Sequence, residues 1–302
     1  MSDIKSAIQR LARERDALVL AHNYQPDAVQ EIADVVGDSL ALAVHAASTD
    51  KKVIVLCGVY FMAETAAILS PQKTVLLPRR EAGCPLADTA TPERIREMRA
   101  RYPQAPVVLY VNSSAAAKAE SDICCTSANA LRVVQSLPEQ EVILAPDRNL
   151  GAYIAARTDK TCHLWDGCCP IHDSVAAEAV QKALEQHPDA VSLAHPECRT
   201  EVLRQVQHIF STSGMLDFVA KSSARKFVVV TERGILCQLR RANPEKEFIF
   251  PESPLLCRNM KLTSPEDVLR ALETMQPVVT VPEEVRRRAQ GTLERMLAVP
   301  RD

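Results

Sequence analysis

Trp165-Asp166-Gly167-Cys168-Cys169-Pro170 closes the middle one of three similar blocks, and the recurrence of its setting decides the fold. Just upstream stand Lys160-Thr161 and a short strand-like run. The same plan occurs twice more: Lys73-Thr74-Val75-Leu76-Leu77-Pro78 leads to Cys84, and Lys246-Glu247-Phe248-Ile249-Phe250-Pro251 leads to Cys257. Cys84 and Cys169 stand 85 positions apart and Cys169 and Cys257 stand 88 apart, with Cys168 fitting the period as well as its neighbour. Self-similarity at a steady period marks one structural unit repeated three times.

Working outward, each unit opens with an apolar run that ends in polar groups. Ala17 to Ala21 enters His22-Asn23-Tyr24-Gln25, Val107 to Val111 enters Asn112-Ser113, and Val191 to Ala194 enters His195-Pro196-Glu197. Gly37-Asp38-Ser39, Cys125-Thr126-Ser127 and Ser211-Thr212-Ser213-Gly214 then open helical runs, so Ser39, Ser127 and Thr212 correspond, as do His22, Asn112 and His195. Two further strand-like runs per unit alternate with helical ones. The pattern predicts an α/β protein of three homologous αβα domains, each a small parallel sheet covered on both faces, because parallel strands need crossover helices. The expected boundaries are residues 1–84, 85–170 and 171–257, with the tail 258–302 packing back on the first unit. Around a pseudo-threefold axis the three sets of strand-end loops meet, and such sheets bind ligands at the carboxyl ends of their strands.

Composition narrows the function. Of 302 residues, 47% are hydrophobic and 25% charged, which is ample for buried cores. With 36 basic and 38 acidic residues the formal charge is −2, so no global basic field gathers nucleic acid or anionic lipid, and an anionic ligand needs a local pocket. The first eighteen residues, with Ile4, Ile8 and Leu11 at helical spacing among Asp3, Glu14 and Asp16, read as an amphipathic surface helix rather than a signal or transit peptide. No apolar run approaches the roughly 18 residues of a membrane span, and a cytoplasmic protein is expected. Ten cysteines in this context read as buried thiols or metal ligands rather than a disulfide framework.

One cysteine from each unit at the centre gives three thiolates, one short of the four that fully ligate a cubane iron–sulfur cluster, and the missing ligand leaves an open iron. A lone buried cysteine is ordinarily a small hydrophobe, but three at equivalent places call for another account. Cys57, Cys124, Cys125, Cys162, Cys168, Cys198 and Cys237 are assigned to packing, and no Cys-x-x-Cys pair occurs. Ser39, Ser127 and Thr212 stand where a hydroxyl caps a helix, and three such starts facing one centre suit carboxylates or a phosphate. His22, His195, Tyr24, Tyr110 and Glu197 supply acid and base groups. A carboxylate beside an imidazole, as in His195-Pro196-Glu197, offers two proton carriers of different affinity.

At these residues the chain resembles the quinolinate synthase family. The segments carrying the resemblance include Ala-His-Asn-Tyr-Gln at 21–25, Val-Gly-Asp-Ser-Leu at 36–40, Cys-Gly-Val-Tyr-Phe-Met-Ala-Glu-Thr at 57–65 and Ala-Gly-Cys-Pro-Leu-Ala-Asp at 82–88. They continue with Tyr-Val-Asn at 110–112, Ser-Asp-Ile-Cys-Cys-Thr-Ser-Ala-Asn at 121–129, Pro-Asp-Arg-Asn-Leu-Gly at 146–151, His-Pro-Glu-Cys at 195–198 and Cys-Arg-Asn-Met-Lys at 257–261. The resemblance implies a triangular arrangement of three αβα domains around a 4Fe-4S cluster held by Cys84, Cys169 and Cys257, so it chooses Cys169 over Cys168. It implies condensation of iminoaspartate (iminosuccinate) with dihydroxyacetone phosphate to quinolinate, with loss of phosphate and two waters, and functional coupling to an aspartate-oxidising enzyme. Substrate contacts are implied for His22, Ser39, Tyr110, Asn112, Ser127, His195, Glu197 and Thr212, with Val111 and Pro196 inside the same segments. Glu197, Tyr24, His195 and Tyr110 are the candidates for proton transfer. Two departures stand out: no Cys-x-x-Cys pair precedes Cys257, and Tyr60 stands where many relatives have histidine. A hydro-lyase acting on a hydroxy acid through an open iron, and a non-enzymatic iron–sulfur carrier or sensor, are the competing readings.

Overall fold

The computed structural model describes residues 2–301. Its strands fall into three separate sheets, each of four strands and each entirely parallel among the described residues. The first contains β1 (Ala17–His22), β2 (Val35–Gly37), β3 (Val53–Cys57) and β4 (Thr74–Leu76). The second contains β5 (Val107–Tyr110), β6 (Ile123–Cys125), β7 (Glu141–Ala145) and β8 (Thr161–Leu164). The third contains β9 (Val191–Ala194), β10 (His208–Ile209), β11 (Lys226–Val230) and β12 (Glu247–Ile249). All three share one order, with the first strand between the second and third and the fourth outermost beside the third. The sequence predicts three strands per unit. The fourth is an edge strand of two or three residues in each case, β2, β6 and β10, too short to show a period.

Side-chain alternation explains how these sheets pack. Leu20 and Leu56 of the first sheet, Val108 and Leu144 of the second, and Leu193, Phe227 and Val229 of the third belong to one continuous apolar core. Their strand neighbours turn to the opposite face, where each sheet has a core of its own: Val19 and Val55 in the first, Leu109 and Ile143 in the second, Val228 and Val230 in the third. Because successive side chains point to opposite faces, strands covered on both sides read as unbroken Val, Ile and Leu runs. Fully buried Phe227 marks the shared core; truncating such a ring to alanine costs about 3–5 kcal/mol.

The amino-terminal helix Ser2–Glu14 forms as its spacing predicts and buries Ile8 and Leu11. The tail departs from expectation. Its helix Pro265–Thr274, opened by a capping box between Ser264 and Asp267, packs on the helix Ser2–Glu14 and on β3 of the first unit. The helix Glu283–Leu297 packs instead on β6 and the short helix Ala115–Lys118 of the second unit as well as on the helix Tyr60–Leu69 of the first. The reason is its apolar face: Ala289, Leu293 and Met296 are fully buried and join the shared core. The tail therefore does not pack back on the first unit alone.

Candidate active site

At the carboxyl ends of the strands, residues from all three sheets line one cavity of about 360 Å³. The first unit contributes His22, Tyr24, Ser39 and Cys84; the second contributes Tyr110, Asn112, Ser127 and Cys169; the third contributes His195, Glu197, Thr212 and Cys257. Val111 and Pro196 are buried in the same loops without lining it.

The loops are built alike. His22 ends β1 and its Nδ1 accepts the N–H of Tyr24 at 3.1 Å, while His195 follows β9 and its Nδ1 accepts the N–H of Glu197 at 3.4 Å. Accepting there leaves the proton of a neutral ring on Nε2. Burial pushes His22 down to about 4, against the pull of Asp38, so its ring is neutral near pH 7. Asn112 is held by a buried cation on its own chain: Lys118 Nζ donates to Val111 O at 2.9 Å and also to Ser113 O, clamping the loop from both sides.

The hydroxyls correct one expectation. Asp38 and Ser211, each one residue earlier, cap the helices Ser39–Ser48 and Thr212–Lys221 by accepting the N–H groups of Ala41 and Gly214. Ser39 and Thr212 are thereby relieved of capping, and Asn23 Nδ2 donates to Thr212 Oγ1 at 3.0 Å. Ser127 lies in the turn before the helix Ala130–Ser136, where Thr126 Oγ1 accepts the N–H of Ala128. Asp38 also takes a two-pronged ion pair from Arg301, at 2.6 and 3.0 Å.

Two residues that the sequence reading passed over complete the centre. Tyr24 Oη lies 2.7 Å from Thr231 Oγ1, which lies 2.9 Å from His172 Nε2. His172 Nδ1 is 2.7 Å from Glu197 Oε2, and His195 Nδ1 is 3.3 Å from the same oxygen, with the two imidazoles stacked at 4.5 Å. Burial alone raises a carboxyl, yet His195 and His172 outweigh it and hold Glu197 below the usual carboxylate range. Burial likewise raises Tyr24 and Tyr110 well above the ordinary phenol value, so both stay protonated. Glu197 Oε1 and Asn112 Oδ1 are buried with no hydrogen-bond partner among the described residues. A ligand that donates to them relieves that cost.

The three cysteines are free thiols. Burial pushes Cys84 up to about 12 and raises Cys169 and Cys257 too, while backbone N–H groups from the next turn pull the other way: Ala87 and Leu86, His172, and Met260 and Asn259 respectively. Burial thus keeps each thiol protonated until a metal displaces the proton. Cys169 Sγ also lies with donor atoms of His172 and Glu197 in a group, mutually within 4.8 Å, that could hold a metal ion. Cys168 is half-buried like the other three but does not line the cavity, facing Asp173 and Arg148 instead.

Three parallel sheets converging on a cavity of thiols, imidazoles, phenols and carboxylates define an α/β enzyme with a candidate metal centre. A model of the family described as quinolinate synthetase A protein matches residues 6–298. The chain is 58% identical over 299 residues to a quinolinate synthase of Geobacter sp. (strain M21), covering 99% of this chain and 98% of the relative. It is 52% identical over 298 residues to quinolinate synthase 1 of Methanosarcina acetivorans, again covering 99% and 98%. The chain belongs to the quinolinate synthetase A protein family. No helix among the described residues is long and apolar enough to cross a membrane.

Proposed function

We propose that this enzyme condenses iminoaspartate with dihydroxyacetone phosphate to quinolinate, phosphate and two waters, with a 4Fe-4S cluster held by Cys84, Cys169 and Cys257. The observation that carries the reading is that three free thiols, one from each repeated unit, line a single cavity. The donor set fits the cluster: three sulfurs, each met by backbone N–H groups. When bound, a cluster with three thiolates supplies an open iron as Lewis acid for the dehydrations.

The chain's own residues bind and move protons. Ser39, Ser127, Thr212 and Asn112 present hydroxyls and an amide to the carboxylates and phosphate of the substrates, with Val111 and Pro196 shaping the loops. His22, neutral, donates from Nε2. Glu197 offers an unpartnered oxygen as the proton acceptor, with the imidazole of His195 3.3 Å from its other oxygen. His172 Nδ1 stands 2.7 Å from Glu197 Oε2 without hydrogen-bond geometry, and from His172 Nε2 a hydrogen-bonded line through Thr231 reaches Tyr24. Tyr24, at the end of that line, is the candidate acid, and Tyr110, off the line in the same cavity, is the second. Because an imine hydrolyses in water, the reading includes supply by an aspartate-oxidising enzyme in the cytoplasm.

The test is anaerobic assay of the purified protein with aspartate, an aspartate oxidase and dihydroxyacetone phosphate, following quinolinate. Formation of quinolinate that depends on all three cysteines is the expected result. A protein that holds about four irons yet only dehydrates hydroxy acids overturns the synthase reading.

A further inference from the structure

The three cysteine loops occupy equivalent places but are held differently. Asp147 follows β7 and divides its carboxylate. Its Oδ1 accepts the N–H groups of Asn149 at 2.9 Å and Leu150 at 2.8 Å, capping the helix Arg148–Ala155, while Oδ2 accepts the N–H of Cys169 at 2.8 Å. Glu232 follows β11 in the corresponding place. Its Oε2 accepts the N–H of Gly234 at 2.6 Å, and its Oε1 accepts the N–H of Cys257 at 3.1 Å and pairs with Lys261 at 2.8 Å. In the first unit Val59 stands in this place, and the helix Tyr60–Leu69 has no side-chain cap. There the loop before Cys84 is tied through its backbone, by Tyr60 N–H to Ala82 O at 2.7 Å and Asn259 Nδ2 to Gly83 O at 2.8 Å.

Capping alone does not explain the two carboxylates. A serine satisfies a helix start with one oxygen, and both acids are buried, Asp147 at 2% exposure and Glu232 at 0%, where each polar oxygen is costly without a hydrogen-bond partner. In both, the second oxygen goes to the backbone of a cysteine that lines the cavity. We propose that Asp147 and Glu232 are positioning residues for the metal centre, transmitting the fixed geometry of β7 and β11 to Cys169 and Cys257. The inference rests on the cluster reading above. It also makes the centre uneven: two of the proposed ligands are braced by acids at their own N–H, and Cys84 only through hydrogen bonds to the carbonyls of Ala82 and Gly83.

Asp147→Ser separates the two duties, because a serine hydroxyl caps the helix but is too short to reach Cys169 N–H as well. Glu232→Gln is the second variant; it keeps the length but sets an amide NH2 against a backbone N–H or Lys261. The measurements are the melting midpoint of the apo-protein, iron per chain after anaerobic reconstitution, the rate of iron loss to a chelator, and the electron paramagnetic resonance spectrum of the reduced protein. The expected result is an apo midpoint near that of the parent chain, iron loss faster by ~10–100-fold, the usual cost of removing a group that orients a metal ligand, and a shifted spectrum. Parent-like iron loss and spectra in both variants, with the parent chain holding its iron, overturn this inference and leave the cluster reading standing. Iron loss matched by an equal fall in apo stability in both variants overturns it also, as a purely structural role. A parent chain that takes up no iron overturns the cluster reading itself.

Discussion

His22 makes the enzyme's stability depend on pH in a calculable way. Its ring is buried at the end of β1 and burial moves it from 6.5 to about 4. The unfolded chain therefore binds a proton below pH 6.5 that the folded chain refuses until about pH 4. The stability this difference protects is complete above 6.5 and is lost as pH falls between the two values. At about 1.4 kcal/mol for each tenfold step, the full loss is about 3 kcal/mol. His22→Asn removes the titration while keeping an acceptor for the Tyr24 N–H. Urea unfolding of both apo-proteins from pH 7 to 4.5, read as the difference between their curves, measures the effect. The parent chain should lose about 2–3 kcal/mol more than the variant over that range. Parallel pH dependence of the two refutes the argument that burial, rather than the neighbouring Asp38, governs this ring.

Glu197→Gln keeps the shape of the site but removes the charge that His172 and His195 share; kcat should fall by roughly 10²–10⁴-fold, the usual worth of a positioned proton carrier, with iron content unchanged. Cys169→Ser should abolish iron incorporation, whereas Cys168→Ala should keep it, and iron analysis after anaerobic reconstitution distinguishes them. At Gly167 an added Cβ meets Pro146 O at 2.5 Å and Thr89 Oγ1 at 2.7 Å, so Gly167→Ala must shift main chain next to the ligand loop. A lowered melting midpoint corresponding to about 1–3 kcal/mol is expected.

What could be read in the sequence was whatever repeats. Unbroken Val and Ile runs ending in His22, Asn112 and His195 located the central strand of each sheet, since strands buried on both faces carry no polar alternation. Short edge strands and the second partner of the helix Glu283–Leu297 were not readable, because they are settled by contacts across units. The same holds at the site. The residues at strand ends were visible, but His172 was passed over. Thr231, Asp147 and Glu232 were not singled out either. Their roles arise from hydrogen bonds to partners far away in the chain, such as Thr231 to Tyr24. Ser39, Ser127 and Thr212 show the converse error: their positions were located correctly, while Asp38 and Ser211 do the capping at two of them.

The cavity's walls run in sequence from His22 to Met260. A ribosome adding roughly 5–20 residues per second has therefore finished the first unit's thiol, Cys84, roughly 9–35 s before the third, Cys257, is even synthesised. Over that interval the early units can lay down their own sheets and outer cores, but the third unit's share of the cavity wall, from His195 to Cys257, is missing. A nascent or truncated chain thus lacks one of the three thiols proposed to hold the cluster, and the proposed centre can be completed only after translation has passed residue 257.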